Sequence, residues 1–190
     1  SGVFSPVRAA YEFYHMHFNI SSGNLVINEV MSNNLSIAAD PSDSFEDWIE
    51  LYNTTQFPIS TNNLYLSDDL LNTLKWQLPN HVIPPNDYYV IWADEDGNQG
   101  EEHANFQLSN AGETITLRHA DSTLIDNVTF PMQNIDIAYG RSPNGVGDFA
   151  MLPPTFNASN DRVSVVSEQH ANLLSISPNP FKDLLAIHLK

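Results

Sequence analysis

Hydrophobic and polar residues alternate with a period of two along much of this chain. The clearest stretch is Asp47-Trp48-Ile49-Glu50-Leu51-Tyr52-Asn53. Ile49 and Leu51 fall on one face, and Trp48, Glu50 and Tyr52 on the other. This pattern predicts a half-buried strand rich in β-formers. An Asp-rich loop, Asp40-Pro41-Ser42-Asp43, precedes it, and Asn53-Thr54-Thr55 closes it. Upstream, Tyr11 to Ile20 alternates as a strand and Leu25 to Met31 reads as another. Downstream, short alternating runs occur at Pro58–Ser60, Leu64–Ser67, Thr73–Leu78, Glu113–His119, Thr123–Phe130, Ile135–Arg141 and Phe149–Leu152.

Turn signals separate these runs. Pro84-Pro85-Asn86-Asp87 and Pro143-Asn144-Gly145 are the strongest, and a short turn near Asp121-Ser122 predicts a hairpin. Tyr88-Tyr89-Val90-Ile91-Trp92-Ala93 is almost wholly apolar, which predicts a central strand covered on both faces. No helical period stands out. Many short strands with turns between them imply an all-β, antiparallel β-sandwich. Its expected core includes Ile49, Leu51, Val90, Ile91, Ile115, Leu117 and Val128, and Trp48, Trp76 and Trp92 are expected in the core or at its edge. Leu124, Asp126, Val128 and Phe130 alternate onto one row. An aspartate on such a row needs a bulge, a partner or a sheet edge.

Composition narrows the function classes. The chain has 190 residues, of which 42% are hydrophobic, enough for a real core. No apolar run approaches the roughly 18 to 20 residues that span a bilayer, so membrane insertion is not expected. No signal peptide is visible; Ser1-Gly2 reads as a scar, which leaves room for a targeting segment removed upstream. There is no cysteine, which excludes disulfides and thiolate metal sites. Acidic residues number 23 against 7 basic, for a net charge of −16. Such a surface repels phosphate backbones and disfavours nucleic acid as a partner.

No nucleophile elbow, phosphate loop or zinc-protease helix is present, so no enzyme activity is expected of this chain. The carboxylates direct attention to cations. Asp94-Glu95-Asp96-Gly97-Asn98 alternates hard oxygen donors, and Asp94, Asp96 and Asn98 are the candidate ligands for calcium; the competing reading is a solvated turn with no cofactor. The loop is not an EF-hand: counted from Asp94, position six is Gln99 and position twelve is Asn105. The loop bearing Asp40, Asp43, Glu46 and Asp47 is a second acidic candidate. His15 and His17 share a strand face, without an evident third ligand.

Several stretches in sequence order resemble the bacterial branch of the lamin tail domain. They are Leu25-Val26-Ile27-Asn28-Glu29-Val30, the Asp47–Asn53 strand, Leu64-Tyr65-Leu66-Ser67-Asp68-Asp69 and Lys75-Trp76-Gln77-Leu78-Pro79. Ile91-Trp92-Ala93-Asp94, His103–Ser109, Gly112-Glu113, Ile125-Asp126 and Tyr139-Gly140-Arg141 complete the set. The resemblance covers residues 24–160 and implies an immunoglobulin-like sandwich without catalytic residues. Members of that branch are usually accessory modules of secreted proteins.

Leu174-Ser175-Ile176-Ser177-Pro178-Asn179-Pro180-Phe181 resembles the opening of a type IX secretion sorting domain. The expected organisation is an N-terminal extension with one strand (1–23), the sandwich (24–160), a linker (161–170) and the truncated start of the sorting domain (171–190). The implied role is a non-catalytic adhesion or substrate-targeting module, secreted or on the cell surface, with an extracellular protein or polysaccharide as ligand. The alternative is an ancillary domain of a larger secreted hydrolase. The N-glycosylation patterns at Asn19, Asn34, Asn53, Asn127 and Asn157 read as chance matches in an Asn/Ser/Thr-rich chain.

Glu50 lies between two aromatics on its strand face. With only 7 basic side chains available, Arg141 is expected to reach Glu50 or another strand carboxylate in a charge-assisted pair. The competing expectation places Glu50 in water and Arg141 over an aromatic ring.

Overall fold

A computed structural model of the protein describes Ile20 and residues 22–162. The expected strand over Tyr11–Ile20, with His15 and His17, lies outside the described residues except for Ile20 itself. So do nearly all of the expected linker and the whole of the expected sorting-domain start.

The chain forms β1 (Leu25–Met31), β2 (Trp48–Asn53), β3 (Ile59–Ser60), β4 (Leu64–Ser67), β5 (Trp76–Gln77) and β6 (Val82–Ile83). It continues with β7 (Tyr88–Trp92), β8 (Gly112–His119), β9 (Leu124–Pro131), β10 (Ala138–Ser142) and β11 (Asp148–Leu152). Among the described residues the sole helical element is a 3-10 turn, Asn160–Arg162. One sheet runs β11-β10-β1-β2-β7, a second runs β5-β4-β8-β9, and β3 pairs with β6. Every strand pairing is antiparallel. The domain is an immunoglobulin-like β-sandwich.

The main core lies between the sheets. Leu25, Ile27, Val30, Ile49, Leu51 and Ile91 meet Leu64, Leu66, Ile115, Leu117, Val128 and Phe130 there, all of them buried. A bulge makes this possible. The β1–β2 register slips between Ile27 and Glu29, so Leu25, Ile27 and Val30 all face inward while Glu29 pairs with Glu50 on the outer face. Without the slip, strict alternation would carry Glu29 into the apolar core.

Two expectations from the pattern are corrected. The strand over 47–53 is not half-buried, because Trp48 and Glu50 on its second face are also fully buried. The segment after β11 folds over that face. Phe156 packs edge-on to Trp48, with ring centroids 5.1 Å apart, in a second cluster with Met31, Trp92, Ala138 and Leu152. The apolar strand over 88–93 is not central. It ends its sheet beside β2, and the returning chain covers its free edge, with Trp92 N–H donating to Glu102 O and Ala104 N–H to Trp92 O. That cover, rather than a neighbouring long strand, explains its apolar composition. Val90 accordingly is half-buried and packs on the second cluster, not in the main core.

On β9 the row containing Asp126 meets its bulge. The register with β8 slips between Leu117 and Arg118. Ile125 turns into the core, and Leu124 is left exposed.

Candidate functional site

Three groups of buried or part-buried charged side chains stand out among the described residues, and each has to be satisfied with little help from bulk water. The first joins the sheets. Asp126 on β9 accepts the Ile27 N–H at 2.8 Å and Arg141 Nη2 at 3.0 Å through both of its oxygens. Arg141 Nε donates to Ile27 O, and its guanidinium lies 4.5 Å from the centroid of Phe149. Arg141 thus pairs with a strand carboxylate and also covers an aromatic, but the carboxylate is Asp126 and not Glu50.

The second group is the pair Glu29 and Glu50, opposite one another on β1 and β2 and fully buried. Neither is in water, and among the described residues neither meets a cation. Glu50 accepts from Asn28 Nδ2 at 2.8 Å and Asn157 N–H at 2.6 Å. Glu29 accepts the Thr155 N–H and hydroxyl. Burial, then the negative charge of Glu29, pushes the Glu50 carboxyl up to about 8. Burial likewise raises Glu29. Apart from Asn28 on β1, the donors come from a bend with Phe156 and Asn157 at positive φ, which aims successive N–H groups down onto the sheet. With no exposed surface, this pair anchors the chain after β11 rather than meeting a ligand.

The third group combines one residue from each of the two acidic loops. One ligand-type atom each of Asp40, Asp94 and His103 lies within 4.8 Å of the others. All are buried, at 4%, 6% and 3% exposure. Asp40 sits in the loop entering β2. Its Oδ1 accepts the N–H groups of Ser42 and Ser44 at 2.9 and 2.7 Å, an Asx-type turn that fixes the carboxylate. Its Oδ2 is buried and has no hydrogen-bond partner among the described residues. Asp94 lies two residues past the end of β7. Its Oδ1 accepts the Asp96 N–H, and its Oδ2 is 2.5 Å from His103 Nδ1. His103 is held by the parallel bridge of its backbone to Trp92. Because β2 and β7 are neighbours, the loops at their adjoining ends converge.

Of the residues expected to bind calcium, Asp94 alone joins this group. Asp96 and Asn98 are exposed, and Asp96 Oδ2 accepts from Gln99 Nε2. Of the second candidate loop, Asp40 joins and Asp43 is exposed. Glu46 and Asp47 line the surroundings. Burial first, then the charges of Asp94 and Asp40, raises Glu46. Burial raises Asp47 to about 7. His103 was missed by sequence reasoning, since scattered histidines reveal nothing about which carboxylates they meet. Its one signal was the His103–Ser109 motif beside the acidic loop.

Two other asparagines serve the fold instead. Asn53 is fully buried, and its Nδ2 lies within hydrogen-bonding distance of Phe57 O, Ile83 O and Pro84 O. Asn34 Nδ2 donates to Ala38 O and Glu46 O. Both amides that fit a glycosylation pattern are therefore committed to backbone carbonyls.

No curated protein matches the chain. A family model for the lamin tail domain matches residues 19–131, more than half of the sequence. Asp40, Asp94, His103 and Asp126 all fall inside the match, whereas β10, β11 and the covering turn lie beyond it yet complete the same sandwich. The bulged, antiparallel immunoglobulin-like architecture agrees with that match, and the chain belongs to the lamin tail domain family.

Proposed function

We propose that this chain is a non-catalytic accessory module of a secreted or cell-surface bacterial protein, engaging an extracellular protein or polysaccharide. Membership of the lamin tail family, a non-catalytic immunoglobulin-like family, carries the reading. Two sequence features support it. The net charge of −16 disfavours nucleic acid and anionic polymers and favours neutral or cationic ligands. The Leu174–Phe181 stretch resembles the opening of a type IX sorting domain, which supports export.

The test has two arms. The full chain, immobilised, is screened against neutral and acidic glycans, extracellular matrix proteins and nucleic acid. Saturable retention of a neutral glycan or a protein is expected, and retention of nucleic acid alone would overturn the reading. Fractionation of source cells with an antibody to the chain is expected to place it in the envelope or the medium. A cytoplasmic location would refute the export half.

A further inference from the structure

We propose that Asp40, Asp94 and His103 bind a divalent first-row transition ion of the zinc class, which staples the loop entering β2 to the loop leaving β7. Two independent observations meet here. The first is the convergence of two carboxylates and an imidazole, with donor atoms within 4.8 Å of one another. The second is the Asp40 Oδ2 atom, buried and without a partner, on a residue only 4% exposed. A buried carboxylate oxygen left unpaired is costly. The other Asp40 oxygen is pinned by two backbone N–H groups, so the carboxylate is held in place and does not turn outward to water.

The donor set selects the ion. Calcium takes six to eight oxygen ligands, and Asp96 and Asn98, which would have to supply some of them, are exposed. Two carboxylates and one ring nitrogen suit zinc or its first-row neighbours, with a fourth position open to water or another small ligand. Donors about 2.0–2.1 Å from a tetrahedral ion lie roughly 3.3–3.4 Å apart. The Asp94–His103 contact of 2.5 Å therefore has to open by less than 1 ångström or so, which two side-chain rotations accomplish. Two carboxylates and a neutral imidazole balance the charge of a divalent ion. The mechanical effect is specific to the fold: β7 ends its sheet, and the ion would clamp the segment that covers its free edge.

The full chain, stripped with a chelator, is titrated separately with zinc, cobalt and calcium ions. The expected result is one zinc or cobalt ion retained per chain after dialysis, a raised melting temperature, and a visible cobalt spectrum of low-coordinate nitrogen and oxygen ligation. Asp40→Asn keeps an oxygen to accept from Ser42 and Ser44 but removes the anionic ligand. Since altering even an outer-shell partner weakens metal binding about 10–100-fold, this variant and His103→Gln are expected to lose at least that much affinity. A His15→Asn/His17→Asn variant is expected to keep the ion. Absence of a stoichiometric ion in the wild type, equal binding by Asp40→Asn, loss of the ion in the His15/His17 variant, or preference for calcium would each overturn the proposal. Should Asp40→Asn fail to fold, the wild-type stoichiometry and the His15/His17 variant decide it.

Discussion

Arg141 on β10 reaches across the sandwich to Asp126 on β9, with Nη2 3.0 Å from both carboxylate oxygens. Between them they satisfy both polar backbone groups of Ile27, at the edge of the β1 bulge. The two side chains are only 17% and 15% exposed, so solvent screening is weak and the pair locks the two sheets in register. Arg141→Gln and Asp126→Asn are each expected to destabilise the protein by about 1.5–3 kcal/mol, the range for hydrogen bonds to charged groups. The double variant should lose less than the sum, with a coupling of about 0.5–3 kcal/mol in a denaturant-unfolding cycle. Additive losses would show that the pair does not act as a unit.

Stability should fall as pH rises. Glu50 holds its proton up to about 8 and Asp47 up to about 7, whereas in the unfolded chain both ionise near pH 4 or so. Between those limits the folded protein keeps protons that the unfolded chain has released. The contribution of these two groups is thus greatest below the ordinary carboxylate range and is lost as pH climbs to about 8, by at most about 1.4 kcal/mol per pH unit for each group. With a chelator present, the melting temperature should drop between about pH 5 and about pH 8, and Glu50→Gln should flatten the slope. A melting temperature that rises over that interval would contradict the burial of the Glu29–Glu50 pair.

Position within the core should separate two neighbours. Leu51 is fully buried between the sheets, and Leu51→Ala is expected to cost about 2–5 kcal/mol. Val90 is half-buried against the second cluster, and Val90→Ala should cost about 1 kcal/mol. Equal losses in urea unfolding would mean that β7 is more deeply packed than its place at the sheet end implies.

Asn53 offers a sharper substitution. Its amide nitrogen faces Phe57 O, Ile83 O and Pro84 O, and its Oδ1 accepts from Thr55. Asn53→Asp nearly preserves shape but sets a buried anion against three carbonyl oxygens. The cost should exceed about 3 kcal/mol at neutral pH and shrink on acidification, as the carboxyl becomes a donor again. A loss independent of pH would point to packing and not to the hydrogen bonds.

Period-two alternation and turn chemistry were enough to determine the all-β antiparallel sandwich, the boundaries of most strands to within a few residues and most of its core, while the two-residue β6 went unread. These properties are local: a strand's inward face is written in its own residues. The tertiary structure decided what depends on partners far apart in sequence. The bulge that turns Glu29 away from the core, the covering turn that buries Trp48 and Glu50, and the end position of β7 all come from segments distant in the chain. The same holds for the candidate cation site. Asp40, Asp94 and His103 are spread over three positions, two of them in separate acidic loops, and only the pairing of β2 with β7 makes them neighbours. Sequence spacing therefore favoured Asp96 and Asn98, which are adjacent along the chain, over Asp40 and His103, which the fold brings beside Asp94.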